Sequence, residues 1–184
     1  DTMRTPIKYF LGANIIMLLI FTILYLLRGN IEFIVYALSL FILVALITWS
    51  DKWFAYPKLA LALFTLWLLS HMLGGYLPVA GSVLYNLMLI DLSGPPLDIL
   101  KYDQVVHIFC YFTATFFTYQ IVKTLAKKQV HQAGLLFIAF LAAIGIGSIN
   151  EVIEFILFIS LEHTGVGDLY NFGIDLIANT IGSL

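Results

Sequence analysis

The chain has 184 residues, of which 61% are hydrophobic and only 11% are charged, whereas a soluble domain is about 45–50% apolar and about 25% charged. This composition, with a mean hydropathy of +0.99, excludes a soluble globular domain and a disordered chain. The net charge of −2 excludes a nucleic-acid-binding protein, and the single cysteine, Cys110, excludes a disulfide and a cysteine-rich metal site. The sequence therefore predicts a polytopic membrane protein with a single integral membrane domain, residues 1–184.

Six apolar segments predict an all-α membrane helical bundle of about six transmembrane helices, since a helix needs about 20 apolar residues to cross the hydrocarbon core. The segments cover residues 7–27, 31–49, 58–77, 102–126, 132–161 and 171–184. Arg28-Gly29-Asn30 and the stretch around Asp51, Lys52 and Pro57 separate the first three. The last segment is too short to span the bilayer, so we expect its helix to continue past Leu184.

Residues 79–92 are also apolar, but a helix of this length extends only about 21 Å, which is marginal for a crossing. A strong break, Ser93-Gly94-Pro95-Pro96, follows this stretch. We therefore expect an interfacial or re-entrant segment between the third and fourth helices rather than a seventh span.

The positions of lysine and arginine predict a cytoplasmic N-terminus. With that orientation seven basic residues lie on the cytoplasmic side, and only Arg28 and Lys101 lie outside. The seven are Arg4, Lys8, Lys52, Lys58, Lys123, Lys127 and Lys128. The sequence thus predicts a multi-pass protein of the cell inner membrane or plasma membrane.

Ionisable side chains within the apolar segments are the candidate site residues, because each costs a few kcal/mol in hydrocarbon unless it is paired or faces a wet cavity. Asp103 and His107 are four residues apart on the fourth segment and share a helix face. Glu151 and Glu154 are three residues apart on the fifth and also share a face.

Further polar residues extend this set on other segments. Asp175 and Asn179 repeat the four-residue spacing on the sixth segment. The remaining candidates are His71, Tyr76, Asn150 and Asp168. At the rise of an α-helix the ionisable groups lie about 6 to 15 Å in from the outer helix ends. This common depth predicts a single site in the outer half of the membrane, open to the extracytoplasmic side.

Carboxylates and imidazoles are ligands of divalent cations, and clustered carboxylates without a cation retain a proton. We predict Glu151 and Glu154 to be catalytic, and Asp103, His107 and Asp175 to be ligands of a divalent metal. A structural interpretation stays open, since Asp103 and His107 could simply pair at a helix N-terminus. No H-E-x-x-H, P-loop or G-x-S-x-G motif is present, so the spacing names no reaction and does not decide whether the protein is an enzyme.

Four motifs resemble the YjdF-like inner-membrane family. They are His71-x-x-Gly74-Gly75-Tyr76 with Pro78, Tyr102-Asp103-x-x-x-His107, Asn150-Glu151-Val-Ile-Glu154, and Gly167-Asp168 with Asp175. The resemblance covers about residues 70–184. The second half is also distantly similar to VanZ-like proteins, whose D-x-x-x-N-x-x-G ending corresponds to Asp175, Asn179 and Gly182. This similarity implies a compact helical membrane domain and a link to the cell envelope or glycopeptide resistance. Glu154 stands where a VanZ-like protein has Gln, which leaves the ligand open.

Three functions are compatible with these observations. The leading hypothesis is a site that acts on or binds a lipid or lipid-linked envelope substrate with a divalent metal, with membrane lipid as the partner and no nucleic acid. A proton- or cation-coupled transporter is the first alternative. A non-catalytic structural or accessory membrane subunit, in which the polar cluster links helices, is the second.

Overall fold

The structure is a computed structural model that describes residues 3–95, 97–126, 130–160 and 169–184. The described residues form six α-helices and one small hairpin. The helices are α1 Thr5–Arg28, α2 Ile31–Phe54, α3 Lys58–Tyr76, α4 Tyr102–Leu125, α5 Gln132–Ser160 and α6 Leu169–Ser183. The first five are each long and apolar enough to cross a membrane, whereas α6 has 15 residues and extends about 22 Å. The predicted all-α membrane bundle is confirmed.

The predicted turn at Arg28-Gly29-Asn30 joins α1 to α2 by two caps. Gly29 has φ +66°, the left-handed conformation that glycine adopts without strain, and its N–H bonds to carbonyls of the last turn of α1. The next residue caps α2, because the Asn30 side chain accepts from the Phe33 N–H at 3.1 Å. One short sequence thus ends one helix and begins the next, antiparallel one.

The second helix is longer than predicted, because α2 continues through Asp51 and Lys52 to Phe54. Asp51 can lie inside the last turn since its carboxylate is paired. The Arg4 guanidinium donates to it through Nε at 2.7 Å and also through Nη2, and the Tyr56 N–H donates at 3.0 Å. This ion pair joins the beginning of α1 to the end of α2.

The apolar stretch at residues 79–92 is not a helix. Strands β1 (Pro78–Val79) and β2 (Ser82–Val83) form an antiparallel hairpin, followed by a 3₁₀ turn, Leu84–Asn86. Tyr85 of this turn reaches His71 of α3 and packs edge-on against Tyr102 of α4. The segment therefore lies across the ends of α3 and α4 and does not span the bilayer, in agreement with the prediction.

Helix α4 lies at the centre of the bundle, with packing contacts to α3, α5 and α6. Helix α1 packs against α2 and α3. The ends of α3 and α5 and the beginnings of α4 and α6 lie at the same end of the bundle, which is where the polar residues of the later helices meet. This is the end opposite to the Arg4–Asp51 pair.

Candidate functional site

The centre of the site is His107, a buried residue in the second turn of α4. Its Nδ1 lies 2.9 Å from Asn179 Oδ1. An amide oxygen only accepts hydrogen bonds, so Nδ1–H donates, and Nε2 is the nitrogen that carries the lone pair whenever the imidazole is neutral. Nε2 lies 3.5 Å from Asp103 Oδ1 and 4.0 Å from Glu154 Oε1. The histidine thus presents a basic nitrogen to carboxylates from its own helix and from α5.

Helix α5 contributes Glu151 and Glu154, both buried. Glu151 Oε1 lies 3.4 Å from His107 Nδ1 and accepts from Asn179 Nδ2 at 2.8 Å. Glu154 Oε1 accepts from Asn150 Nδ2 at 2.7 Å, one helical turn away. Each acid therefore has one oxygen held by an amide from the same set of polar residues.

Helix α6 contributes Asp175, whose exposed fraction is 0%. Its Oδ2 accepts from Asn171 Nδ2 at 2.5 Å. The same amide lies 3.3 Å from Asp103 Oδ2 and so links α6 to α4. Asn171 is a site residue that the sequence interpretation missed, although it lies four residues before Asp175 and continues the 171–175–179 helix face.

Two glycines allow the helices of the site to come close enough for these contacts. Gly182 lets α6 approach α4, and Gly147 lets α5 approach α6. A Cβ at Gly182 would lie 2.2 Å from the carbonyl oxygen of Ile108 in α4, and one at Gly147 would lie 3.2 Å from Asn179 Cβ. The space around Gly145, on the same helix as Gly147, is open, so only Gly147 serves close packing. The Asp-x-x-x-Asn-x-x-Gly spacing thus places two polar groups and the residue that permits their approach on one face.

Two groups of side chains in the site could hold a metal ion. Two groups of ligands have atoms within 4.8 Å of one another: Asp103, His107 and Asp175, and His107, Glu151 and Glu154. Among the described residues, Glu151 Oε2 and Asp175 Oδ1 are buried and have no hydrogen-bond partner. Buried carboxylates need a proton, a cationic neighbour or a metal to offset the loss of hydration. Oxygen and imidazole ligands in this number suit a hard or borderline divalent cation.

A family model for predicted membrane proteins, DUF2238, matches residues 7–184. The chain belongs to this family. The YjdF-like resemblance inferred from the four motifs is confirmed, because YjdF-like proteins form this family; the VanZ-like similarity stays a prediction. No curated protein and no solved structure matches the chain.

The motif residues of this DUF2238 protein are not all in one cluster. His71 lies on α3 and faces the same cavity, of about 220 Å³, as His107 and Glu154, but its Nδ1 bonds to the Tyr85 hydroxyl at 2.5 Å. Tyr76 lies elsewhere, with its ring under the Arg28 guanidinium at 3.7 Å. Asp168 lies outside the described residues.

Tyr85 lies outside the membrane-spanning helices and determines how His71 is protonated. Burial, together with nearby carboxylates, raises the pKa of the Tyr85 phenol well above its usual range. The hydroxyl therefore keeps its proton and donates a hydrogen bond to His71 Nδ1, which leaves Nε2–H of the neutral imidazole as a donor. No sequence signal pointed to Tyr85, because its role depends on the hairpin that precedes it.

Proposed function

We propose that the cluster binds a divalent cation and uses it on a membrane lipid or lipid-linked envelope substrate. The observation that carries this proposal is the setting of His107, whose Nε2 faces carboxylates while Nδ1–H is held by an amide oxygen. Histidines that bind metals in proteins have this arrangement, since the second ring nitrogen donates to a carbonyl or carboxylate that fixes the tautomer.

Residues of α4 and α6 have one proposed role, and residues of α5 have another. Asp103, His107 and Asp175 form the first ligand group, and they are the residues we propose to hold the cation. Glu154 lies near the same Nε2 as Asp103, and Glu151 lies near Nδ1. We propose that these two glutamates take or give a proton next to a cation-bound water or substrate oxygen.

Calorimetric titration of the purified protein with Mg²⁺, Mn²⁺ and Zn²⁺ tests the cation directly. We expect one equivalent of a divalent cation in the wild type, and its loss in His107→Asn and Asp175→Asn. His131→Asn is the matched control, because His131 is exposed before α5 at the other end of the bundle. Absence of binding for all three cations to the wild type would overturn the proposal.

We also propose that the N-terminus is cytoplasmic and the cluster faces the extracytoplasmic side of an inner or plasma membrane. The support is the distribution of basic residues: Arg4, Lys8, Lys52, Lys58 and Lys123 lie at the end of the bundle opposite to the cluster. In a Cys110→Ser background, Ser93→Cys should react with an impermeant maleimide added to intact cells and Val130→Cys should not. The reverse pattern would place the site on the cytoplasmic side.

A structural role is the second candidate, because amides link the carboxylates of three helices. Asn179 connects α4 to α5, and Asn171 connects α4 to α6. Interhelical hydrogen bonds of this kind stabilise membrane bundles. If the cluster serves only this purpose, Glu154→Gln should retain both the fold and any cellular phenotype of the protein, since glutamine keeps the size and hydrogen-bonding capacity of the side chain.

A further inference from the structure

A long groove extends from the cluster along the bundle between α2 and α5. Two adjoining cavities of about 220 and 330 Å³ form it, and they share the wall residues Leu43, Trp67, Cys110 and Ile146. Helices α3 and α4 form its floor. We refer to these two cavities together as the α2–α5 groove.

The groove opens towards the lipid because α2 and α5 make no extensive packing contact in the part of the chain that the structure describes. Residues on both edges are partly exposed: Leu43 on α2 is 37% exposed and Ile146 on α5 is 48% exposed. A molecule dissolved in the bilayer can therefore enter from the side without crossing water.

The dimensions of the groove match a single hydrocarbon chain. It follows α4 from His107 to Ile121, which is about 21 Å at the rise of an α-helix. One leaflet of a hydrocarbon core is roughly 15 Å thick, half of the whole. The inner part is apolar, with walls that include Leu46, Ile47, Phe64, Phe117 and Ile146.

The polar end of the groove has hydrogen-bond donors as well as carboxylates in its wall. Tyr36 and Trp67 line the first cavity with His107 and Glu154. Both are more than nine-tenths buried, and Tyr36 Oη and Trp67 Nε1 have no hydrogen-bond partner among the described residues. Buried hydroxyl and indole N–H groups almost always have partners, so two unpaired donors in side chains that line one cavity suit a ligand with acceptor oxygens.

We infer that the α2–α5 groove binds one hydrocarbon chain of a bilayer lipid, and that ester or phosphate oxygens of that lipid accept hydrogen bonds from Tyr36 and Trp67. The hydrocarbon chain occupies the apolar part of the groove irrespective of the cation. Contact between the lipid oxygens and the cluster rests on the proposed function, because an anionic oxygen next to these carboxylates requires a bound cation.

Quenching of tryptophan fluorescence by brominated lipid tests this inference. In a Trp49→Phe/Trp53→Phe background Trp67 is the remaining tryptophan, and it is 8% exposed inside the groove. After reconstitution into vesicles of phosphatidylglycerol with brominated acyl chains, we expect most of the Trp67 emission to be lost relative to vesicles of the unbrominated lipid. Retention of the emission in brominated vesicles would overturn the inference.

Matched variants distinguish the groove from general contact with lipid. Ile146→Phe fills the groove and should restore most of the Trp67 emission, whereas Ile138→Phe should not, since Ile138 lies on the same helix, is equally exposed at 49% and lines neither cavity. Leu43→Phe and its control Leu38→Phe repeat the comparison from α2. Equal quenching in all four variants would show that bilayer lipid reaches Trp67 without the groove.

The donor contact has its own test in the same assay, with the fraction of brominated lipid as the titrant. Tyr36→Phe should weaken lipid binding by several-fold, the loss expected for one hydrogen bond, and Tyr9→Phe on the exposed face of α1 should not change it. An unchanged titration curve for Tyr36→Phe would contradict the contact. His107→Asn separates the two proposals, because it should abolish cation binding and leave quenching by the brominated chain intact. Cation binding that survives in His107→Asn would overturn the proposed cation site alone, whereas the groove is overturned by the quenching results.

Discussion

Replacement of Gly182 by alanine is the sharpest structural perturbation of the site. The added Cβ would lie 2.2 Å from the Ile108 carbonyl oxygen, about 1 Å closer than two such atoms approach, so α6 has to move away from α4 by roughly that distance. The hydrogen bond from His107 Nδ1 to Asn179 Oδ1, now 2.9 Å, would lengthen beyond the hydrogen-bond range of about 3.2 Å.

The expected cost follows from two opposing effects. Overpacking costs about 1–3 kcal/mol, and the gain in helix propensity is small because Gly182 lies in the last turn of α6, one residue before its end. For a chain of this size each kcal/mol changes Tm by about 2–4 °C. We therefore expect a measurable fall in Tm together with loss of cation binding.

Gly173→Ala is the matched control on the same helix, since a Cβ there would meet no atom within 4 Å. Thermal unfolding in detergent and calorimetric titration with Mn²⁺ should show a Tm that is unchanged or raised and normal cation binding for this variant. Equal stability and equal cation binding in Gly182→Ala and Gly173→Ala would refute the reasoning that close approach of α6 to α4 builds the site.

Three further predictions concern charge and polarity. Glu151→Gln and Glu154→Gln should reduce cation affinity in calorimetry while Tm without cation stays equal or rises, because each removes one of several mutually repelling carboxylates; unchanged cation affinity in both variants would contradict their role beside the cation and favour a structural role. Asp51→Asn should cost about 1–2 kcal/mol in thermal unfolding, since the charge-assisted bonds from Arg4 are lost and the Arg4 side chain is 40% exposed; no change would mean that the pair contributes nothing. In lipid-free detergent Tyr36→Phe should raise Tm, because it removes an unpaired buried hydroxyl, and a lowered Tm would reveal a partner for that group.

The sequence predicted the helices well because hydrophobic length is a local property. Arg28-Gly29-Asn30 contains the C-terminal cap of α1 and the N-terminal cap of α2, so the boundary between these helices could be located from three residues. Asp51 was assigned to a loop because it lies with Lys52 and Pro57 between two apolar segments, and only its pairing with Arg4, 47 residues away, explains its place in α2. Long-range pairs of this kind have no local signal.

The site could be predicted in part for a physical reason. Spacing of three or four residues places Asp103 with His107 and Glu151 with Glu154 on common faces, and the cost of ionisable groups in hydrocarbon forces such faces to meet. Asn171 was missed since a single amide near a helix start is more often a cap. The groove was not predictable, because Tyr36 and Trp67 are ordinary aromatic residues of apolar helices until the gap between α2 and α5 is known.

Anomalous diffraction from crystals grown with Mn²⁺ is the most direct test of the cation centre. The account predicts a peak about 2.0–2.6 Å from His107 Nε2 and from carboxylate oxygens of Asp103 and Asp175, the distances typical of nitrogen and oxygen ligands. In Asp175→Asn the peak should disappear from that position. A peak confined to exposed carboxylates such as Asp91, with none beside His107, would contradict the central claim.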